Sequence, residues 1–218
     1  MSTIADNIGL VSQRIRAAAD AVQRDASSIH LLAVSKTKPA QAVREAYAAG
    51  LRDFGENYLQ EALGKQADLT DLPLSWHFIG PIQSNKTRAI AENFAWVHSV
   101  DRLKIAQRLS EQRPADLPPL NICIQVNVSG EASKSGCTPA DLPALATAIS
   151  ALPRLKLRGL MAIPEPTEDR AEQDAAFATV RDLQASLNLP LDTLSMGMSH
   201  DLESAIAQGA TWVRIGTA

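Results

Sequence analysis

A lysine follows an apolar run near the start of the chain. Residues 31–34 read Leu-Leu-Ala-Val, Ser35 and Lys36 come next, and Pro39 begins a helical pattern. Four apolar residues between polar flanks predict a strand covered on both faces, and a helix accepts proline at its start. An amine at such a corner can condense with a carbonyl group to form a Schiff base. On this stretch alone, the simpler interpretation is that Lys36 and Lys38 are solvated loop charges, because lysine is rarely buried.

Two short segments near the end of the sequence have the composition of an anion site. Their glycines let the backbone approach an anion closely, and their hydroxyls can donate hydrogen bonds to it. The residues concerned are Gly197, Ser199, Gly216 and Thr217. Asp201 and Glu203 lie in the first turn of the next predicted helix and would repel an anion unless they point away. The alternative is that Ser199 caps this helix and Gly216 forms a turn.

An arginine interrupts the last apolar segment, which runs from Trp212 to Ile215. Most strand arginines are solvated at an end of the strand. If this segment is a strand of a closed barrel, its inner face has no water, and Arg214 then suggests a specific partner. A lysine able to form a Schiff base, an anion site and this arginine together suit an aldehyde that carries a phosphate. The residues therefore predict pyridoxal 5′-phosphate as the cofactor. A Schiff-base aldolase or lyase acting on a phosphorylated sugar would use the same elements, and it stays open as an alternative.

A regular alternation of short apolar and amphipathic segments must position these residues. We predict strands at 29–34, 53–55, 76–79, 96–99, 121–128, 157–161, 191–195 and 212–215. Helices are predicted at 39–49, 57–66, 84–92, 101–112, 139–151, 168–187 and 200–208. This alternation favours an α/β fold with parallel strands, closed into a (β/α)8 TIM-type barrel rather than an open doubly wound sheet. In a barrel, the residues after the strands meet at one mouth.

A further helix is predicted before the first strand. Residues 3–23 carry an apolar stripe at spacings of three and four. We expect this helix, within residues 1–25, to cover the barrel rather than to belong to its repeat. No linker or low-complexity tract divides the chain, so residues 1–218 are predicted to form one domain.

The composition excludes several classes of partner. The chain of 218 residues has 21 Lys and Arg against 24 Asp and Glu, a net charge of −3, and so lacks the basic surface that nucleic acid or an anionic membrane requires. No apolar run is long enough to span a bilayer, and the N-terminus does not have the layout of a secretory signal. Cys123 and Cys137 lack the spacing of a metal site. We therefore expect a cytoplasmic monomer with a small-molecule partner and no metal.

Seven segments, taken in order, resemble one family. They are 33–39, 54–58, 76–86, 125–128 with 134–137, 159–161, 195–201 and 214–217. In these segments the chain is similar to the YggS/PROSC family of pyridoxal phosphate homeostasis proteins. Each segment is weak by itself, but seven in register across nearly the whole chain are specific.

The resemblance implies a cytoplasmic protein with the fold of the alanine racemase N-terminal barrel, the fold type III barrel that binds pyridoxal phosphate. It implies that the cofactor is held as a Schiff base on Lys36 and is buffered, or delivered to apoenzymes that depend on it, without established turnover. By the same match, Asn57 lines the cofactor ring and Arg214 faces the pyridine nitrogen. The phosphate-binding residues implied by the match are Ser199, Gly216 and Thr217. Positions of the family that influence loading of the cofactor match Lys38, Lys86 and Lys134.

Enzymatic alternatives need groups that the sequence does not clearly supply. An arginine opposite the pyridine nitrogen leaves that nitrogen unprotonated, which makes the cofactor a poorer electron sink. An amino-acid racemase also needs a second base, and the only tyrosines are Tyr47, in a predicted helix, and Tyr58. An aldolase needs a general acid or base in the mouth, for which Glu56 and His200 are the candidates. The sequence therefore favours a protein that holds the cofactor over an enzyme.

Overall fold

The computed structural model describes residues 2–130 and 135–216, and their strands form a closed barrel of eight parallel strands. Each strand pairs with the next in sequence, and the last pairs with the first. The strands are β1 His30–Val34, β2 Asp53–Glu56, β3 Ser75–Phe78, β4 Trp96–Val100, β5 Leu120–Gln125, β6 Leu155–Met161, β7 Thr193–Ser195 and β8 Trp212–Ile215. The predicted (β/α)8 fold is confirmed, and the doubly wound alternative is wrong.

Helices alternate with the strands as the sequence predicts. They are α1 Ile4–Ala21, α2 Ala40–Ala48, α3 Leu59–Asp68, α4 Thr87–Asn93, α5 Leu103–Gln112, α6 Leu142–Ser150, α7 Arg170–Ser186 and α8 Leu202–Ala207, with short 3-10 turns at Ala26–Ser28 and Ser84–Lys86. Helix α1 starts with a capping box, in which Asp6 N donates to Thr3 Oγ1 over 3.0 Å and Thr3 N donates to Asp6 Oδ2 over 3.1 Å. It packs against α8 and α2 and so covers the seam between β8 and β1. The assignment of residues 1–218 to one domain stays a prediction.

Strand β5 ends three residues earlier than predicted. Val126 forms only an isolated bridge with Cys137, and the side chain of Asn127 then accepts hydrogen bonds from the backbone of Ser129 and Gly130. Such an Asx turn offers the backbone an alternative to the ladder, which ends the strand. The apolar pattern of residues 121–128 does not reveal this turn.

Apolar side chains cover both the inner and the outer face of the barrel wall. The large outer cluster packs the strands against the helices, and a smaller inner cluster contains Leu32, Ile79, Trp96, Cys123, Met161 and Trp212. Val34 packs against this inner cluster, whereas Leu31 and Ala33 pack against the outer one. Val34 is thus the last inward residue of β1, and Lys36 follows it by two residues, in the turn beyond the strand.

One glycine allows two strands to approach each other closely. Gly159 on β6 pairs with Thr193 on β7, and a Cβ at position 159 would lie 1.7 Å from the carbonyl oxygen of Thr193. The side chain of Gln184, from α7, accepts a hydrogen bond from the neighbouring Leu160 N over 2.9 Å. This packing sets the position of β7. Within the described part of the chain, no helix is long and apolar enough to cross a membrane.

Candidate functional site

Lys36 lies in a turn just beyond β1. Lys38 N donates a hydrogen bond to Ser35 O over 3.0 Å and closes the turn, in which Thr37 has a φ of 64°. Ser35 N still bonds to Gly55 O on β2, at 3.0 Å, so the strand pairing extends to the first residue of the turn. Lys36 itself is exposed at the mouth of the barrel. The structure therefore places an accessible amine where the sequence predicted one.

Asn57 follows β2 at the same mouth. Gly55 faces the barrel interior, since a Cβ there would touch Leu32 and Ile79, and Asn57 is the next inward position. Its Oδ1 is buried and has no hydrogen-bond partner among the residues that the structure describes. An unpaired buried oxygen costs free energy, which favours a ligand with a donor at this point.

Arg214 points into the barrel from β8 and is only 4% exposed. Its Nη1 donates to Ser195 Oγ at 2.7 Å, and its Nη2 donates to Ala162 O at 3.0 Å. Burial lowers the pKa of the guanidinium to about 10, so it remains charged at neutral pH. The expectation that this arginine has a specific partner is confirmed, and the partners fix its orientation.

A chain of hydrogen bonds continues from Arg214 through the barrel. His98 Nδ1 lies 2.8 Å from Ser195 Oγ, His98 Nε2 lies 2.9 Å from His77 Nδ1, and His77 Nε2 lies 2.9 Å from Asp53 Oδ1. Burial lowers the pKa of both histidines, so both imidazoles are neutral at pH 7. The carboxylate of Asp53 then accepts from His77 Nε2, His77 Nδ1 accepts from His98 Nε2, and His98 Nδ1 accepts from the Ser195 hydroxyl. The chain runs in one direction, from the arginine at the mouth to a carboxylate at the opposite end.

The two buried histidines predict a loss of stability in acid. Burial lowers the pKa of His98 well below 6.5, assisted by His77 and Arg214, and burial lowers the pKa of His77 against the opposing effect of Asp53. Below the unfolded pKa of 6.5, the unfolded chain binds more protons than the folded chain, so stability falls as the pH falls. We expect the substitution His98→Gln to remove about 1 to 2 kcal/mol of the stability lost between pH 7 and pH 5.

Urea unfolding at pH 7 and pH 5 measures this change. The quantity compared between variants is the difference between the free energies of unfolding at the two pH values. Glutamine retains one donor and one acceptor in the chain of hydrogen bonds. The matched control is His200→Gln, because His200 is exposed. Equal pH dependence in the wild type and His98→Gln would contradict the assignment of a neutral buried His98.

The segment after β7 borders the mouth on the other side of β8 from β1. Gly197 has a φ of 103°, and Arg214 N donates to its carbonyl over 2.9 Å. Arg14 of α1 donates to Ser199 O at 2.8 Å and binds both carboxylate oxygens of Glu203, at 2.8 and 2.9 Å. This pair neutralises one of the two acids that could repel an anion. The N-terminal helix thus holds the Ser199 segment in place.

The other acid of this segment is also engaged. Asp201 is buried and its Oδ1 accepts a hydrogen bond from Met198 N at 2.7 Å, while His200 Nε2 lies 3.3 Å from Oδ2. The negative charge of Asp201 lies close enough to Arg214 to interact with it electrostatically. Both carboxylates thus have partners within the protein.

Strand pairing brings most of the predicted site residues together. The relevant strands are neighbours in the order β7, β8, β1, β2. Gly216 follows β8 beside β1, since a Cβ at position 216 would lie 3.3 Å from Val34 Cβ. The carboxyl ends of these strands therefore place Lys36, Asn57, Ser199, Arg214 and Gly216 around one opening. Thr217 and Lys134 lie outside the described residues.

Other sequence candidates lie away from the interior of the mouth. Lys38 is exposed and lines a cavity between α1 and α2, on the outer side of β1, and Lys86 is half-buried at the end of the turn at Ser84–Lys86. Glu56 points outward like Phe54, and Lys65 Nζ lies 2.8 Å from its Oε2. Because Glu56 lies on the outer side of the barrel wall, its candidacy as a general base in the mouth is wrong.

The sequence reasoning missed Ser195, His98, His77 and Arg14. The first three are polar residues at inward positions of apolar strands, so the alternation that singled out Arg214 could have found them as well. Arg14 had no such signal, because its partners lie 185 and 189 residues away in the chain.

Comparisons with known proteins identify the family of the chain. Residues 11–218 match the family described as alanine racemase, N-terminal domain. The pyridoxal phosphate homeostasis protein of Pseudomonas aeruginosa is 78% identical over 218 residues, which cover 100% of this chain and 95% of the relative. The protein of the same name from Escherichia coli K12 is 53% identical, with 100% and 96% covered.

A solved structure matches the whole barrel. PipY of Synechococcus elongatus PCC7942, with PLP bound, superposes with a TM-score of 0.86 at 44% identity and covers 99% of this chain and 98% of PipY. The structure of PipY without PLP superposes with a TM-score of 0.82. The chain therefore belongs to the alanine racemase N-terminal domain family and, within it, to the pyridoxal phosphate homeostasis proteins.

Proposed function

We propose that this protein binds pyridoxal 5′-phosphate as a Schiff base on Lys36 and keeps the cofactor in reserve for other proteins. The observation that carries the proposal is the convergence of Lys36, Arg214 and the Ser199 segment on one opening, in a chain 44% identical to PipY with PLP bound. The buried, unpaired Oδ1 of Asn57 at that opening also fits a bound ligand.

Each part of the cofactor has a matching group. The amine of Lys36 would condense with the aldehyde, with loss of water, and the guanidinium of Arg214 would donate to the ring nitrogen. Asn57 would line the ring. The backbone of Ser199 and Gly216 and the hydroxyl of Ser199 would bind the phosphate, and Thr217 is assigned to the phosphate through the family match alone.

The residues of the mouth suit a holder of the cofactor better than a catalyst. Arg214 does not release its proton, so it leaves the ring nitrogen unprotonated and limits the stabilisation of carbanions. Tyr47 stacks on Arg52, with its ring centroid 4.0 Å from the guanidinium carbon, at the end of the barrel opposite the mouth. Tyr58 is 52% exposed. Neither tyrosine is positioned as a second base, and the relatives are named for homeostasis rather than catalysis.

The finer parts of the proposal concern partners and location. We assign apoenzymes that depend on pyridoxal phosphate as the recipients, and we expect a cytoplasmic monomer that binds neither nucleic acid nor membrane. The net charge of −3 supports the part of this proposal that concerns nucleic acid and anionic membranes. Size-exclusion chromatography with light scattering tests the monomer.

Reconstitution of the purified protein with pyridoxal 5′-phosphate tests the function. We expect a yellow protein whose near-visible absorbance is lost irreversibly on borohydride reduction, with the reduced cofactor mapped to Lys36 by peptide mass spectrometry. A colourless protein that the cofactor cannot load would overturn the proposal and favour the Schiff-base aldolase. Rapid racemisation or decarboxylation of an amino acid would overturn the assignment as a holder.

A further inference from the structure

Helix α3 contacts the turn of Lys36 at the two peptide groups that flank this lysine. Lys65 Nζ donates to Ser35 O at 2.5 Å, and Glu61 Oε1 accepts from Thr37 N at 2.5 Å. Glu61 and Lys65 lie one helical turn apart and form an ion pair at 3.0 Å. One pair of side chains thus holds the backbone on both sides of Lys36.

The ammonium group of Lys65 has an acceptor for each of its N–H groups. It is 6% exposed, and its three N–H groups have three acceptors, which are Ser35 O, Glu56 Oε2 and Glu61 Oε1. Glu56 is completely buried, accepts from Ser35 Oγ through the same oxygen, and has no partner for Oε1 among the described residues. A buried ion pair is weak support for a stabilising role, because removing both charges from water offsets most of their attraction. The role of the ion pairs of Lys65 therefore lies in the backbone turn that Lys65 contacts.

The turn itself is strained. Thr37 has a φ of 64°, in the left-handed region that β-branched residues rarely adopt. Such a conformation persists only where its surroundings hold it, and such conformations cluster at functional sites. The hydrogen bond from Thr37 N to Glu61 is the side-chain contact made to Thr37 itself. Without that contact, we expect the turn to relax toward a negative φ and to displace Lys36.

We infer that Glu61 and Lys65 are positioning residues that aim the amine of Lys36 into the mouth, an inference that rests on the proposed function. Lys36 stands beyond the last residue of β1, so the ladder does not fix its direction. The remaining groups of the site lie on β8, which pairs with β1, and on the neighbouring strand β7. An amine held in the direction of a ligand bound there reacts faster than one on a free loop, because the cost of orienting it has already been met.

The test measures capture of pyridoxal 5′-phosphate by stopped-flow absorbance in three variants and the wild type. We expect Glu61→Ala to slow formation of the Schiff base by about tenfold. Glu61→Gln retains an acceptor for Thr37 N, so its rate should stay near that of the wild type. Adding Thr37→Gly to Glu61→Ala should restore much of the rate, because glycine adopts a positive φ without strain.

Amide hydrogen exchange in the ligand-free protein gives a second readout that does not depend on loading. Thr37 N–H should be protected in the wild type and should exchange faster in Glu61→Ala. Glu45→Ala is the matched control, since Glu45 is an exposed glutamate on α2. A lower melting temperature with unchanged capture would indicate a merely structural role.

The outcomes separate the two claims. Capture by Glu61→Ala at the wild-type rate, or no recovery in the double variant, overturns the positioning role while leaving the proposed function intact. A wild-type protein that forms no Schiff base while Thr37 N–H is protected overturns the proposed function, and the positioning role falls with it.

Discussion

The substitution Lys36→Ala is expected to abolish the borohydride-stable adduct with pyridoxal 5′-phosphate and to weaken binding on the order of a hundredfold, about 2.8 kcal/mol. Binding is not lost altogether, because Arg214 and the Ser199 segment do not depend on the lysine for their positions. They are held by Ser195, Ala162 and Arg14 instead. The measurements are equilibrium dialysis for affinity and intact mass spectrometry after reduction for the adduct.

The matched control is Lys38→Ala. Lys38 is two residues away and is also exposed, but it lines the cavity between α1 and α2 on the outer side of β1. Its removal should leave the adduct and its yellow colour in place. If the adduct persists in Lys36→Ala, or disappears in Lys38→Ala, the assignment of the Schiff base to Lys36 is wrong.

The substitution Gly159→Ala is expected to destabilise the fold by more than about 4 kcal/mol or to prevent folding. The added methyl group would lie 1.7 Å from Thr193 O and 2.7 Å from Thr193 C, so β6 and β7 would have to separate. Backbone atoms cannot rotate away as a side chain can. Thr193 is two residues before Ser195, so the displacement would also disturb the partner of Arg214.

Urea unfolding monitored by circular dichroism measures this effect against Gly64→Ala. Gly64 is exposed within α3, and a Cβ there meets nothing within 4 Å. The alanine should stabilise the protein by about 0.8 to 1 kcal/mol through helix propensity. Similar midpoints for the two variants would show that the close approach of β6 and β7 is not needed.

The sequence predicted the barrel well because its alternation has a strong physical signature. Strands covered on both faces require short continuous apolar runs, and each predicted run corresponds to a strand, with boundary errors of a few residues. The largest error is the end of β5, where the side chain of Asn127 competes with the strand ladder. Local competition of this kind depends on a rotamer that residue types do not specify.

The site was predicted in part for a related reason. Arg214 interrupts an apolar strand and Lys36 lies two residues after one, and charged residues in such places are conspicuous in a sequence. The residues that hold Lys36 and Arg214 in position are not conspicuous in the sequence. Arg14 and Lys65 resemble ordinary helix charges until tertiary contact places Arg14 against Ser199 and Lys65 against Ser35.

The seam between β1 and β8 joins the first strand of the chain to the last. A ligand bonded to Lys36 beyond β1 and held by Arg214 of β8 would connect the first strand to the last strand as a removable cross-link. Cross-links that enclose long loops restrict the unfolded chain most, and any ligand that binds only the folded state shifts the unfolding equilibrium. The loaded protein would resist proteolysis longer than the empty one.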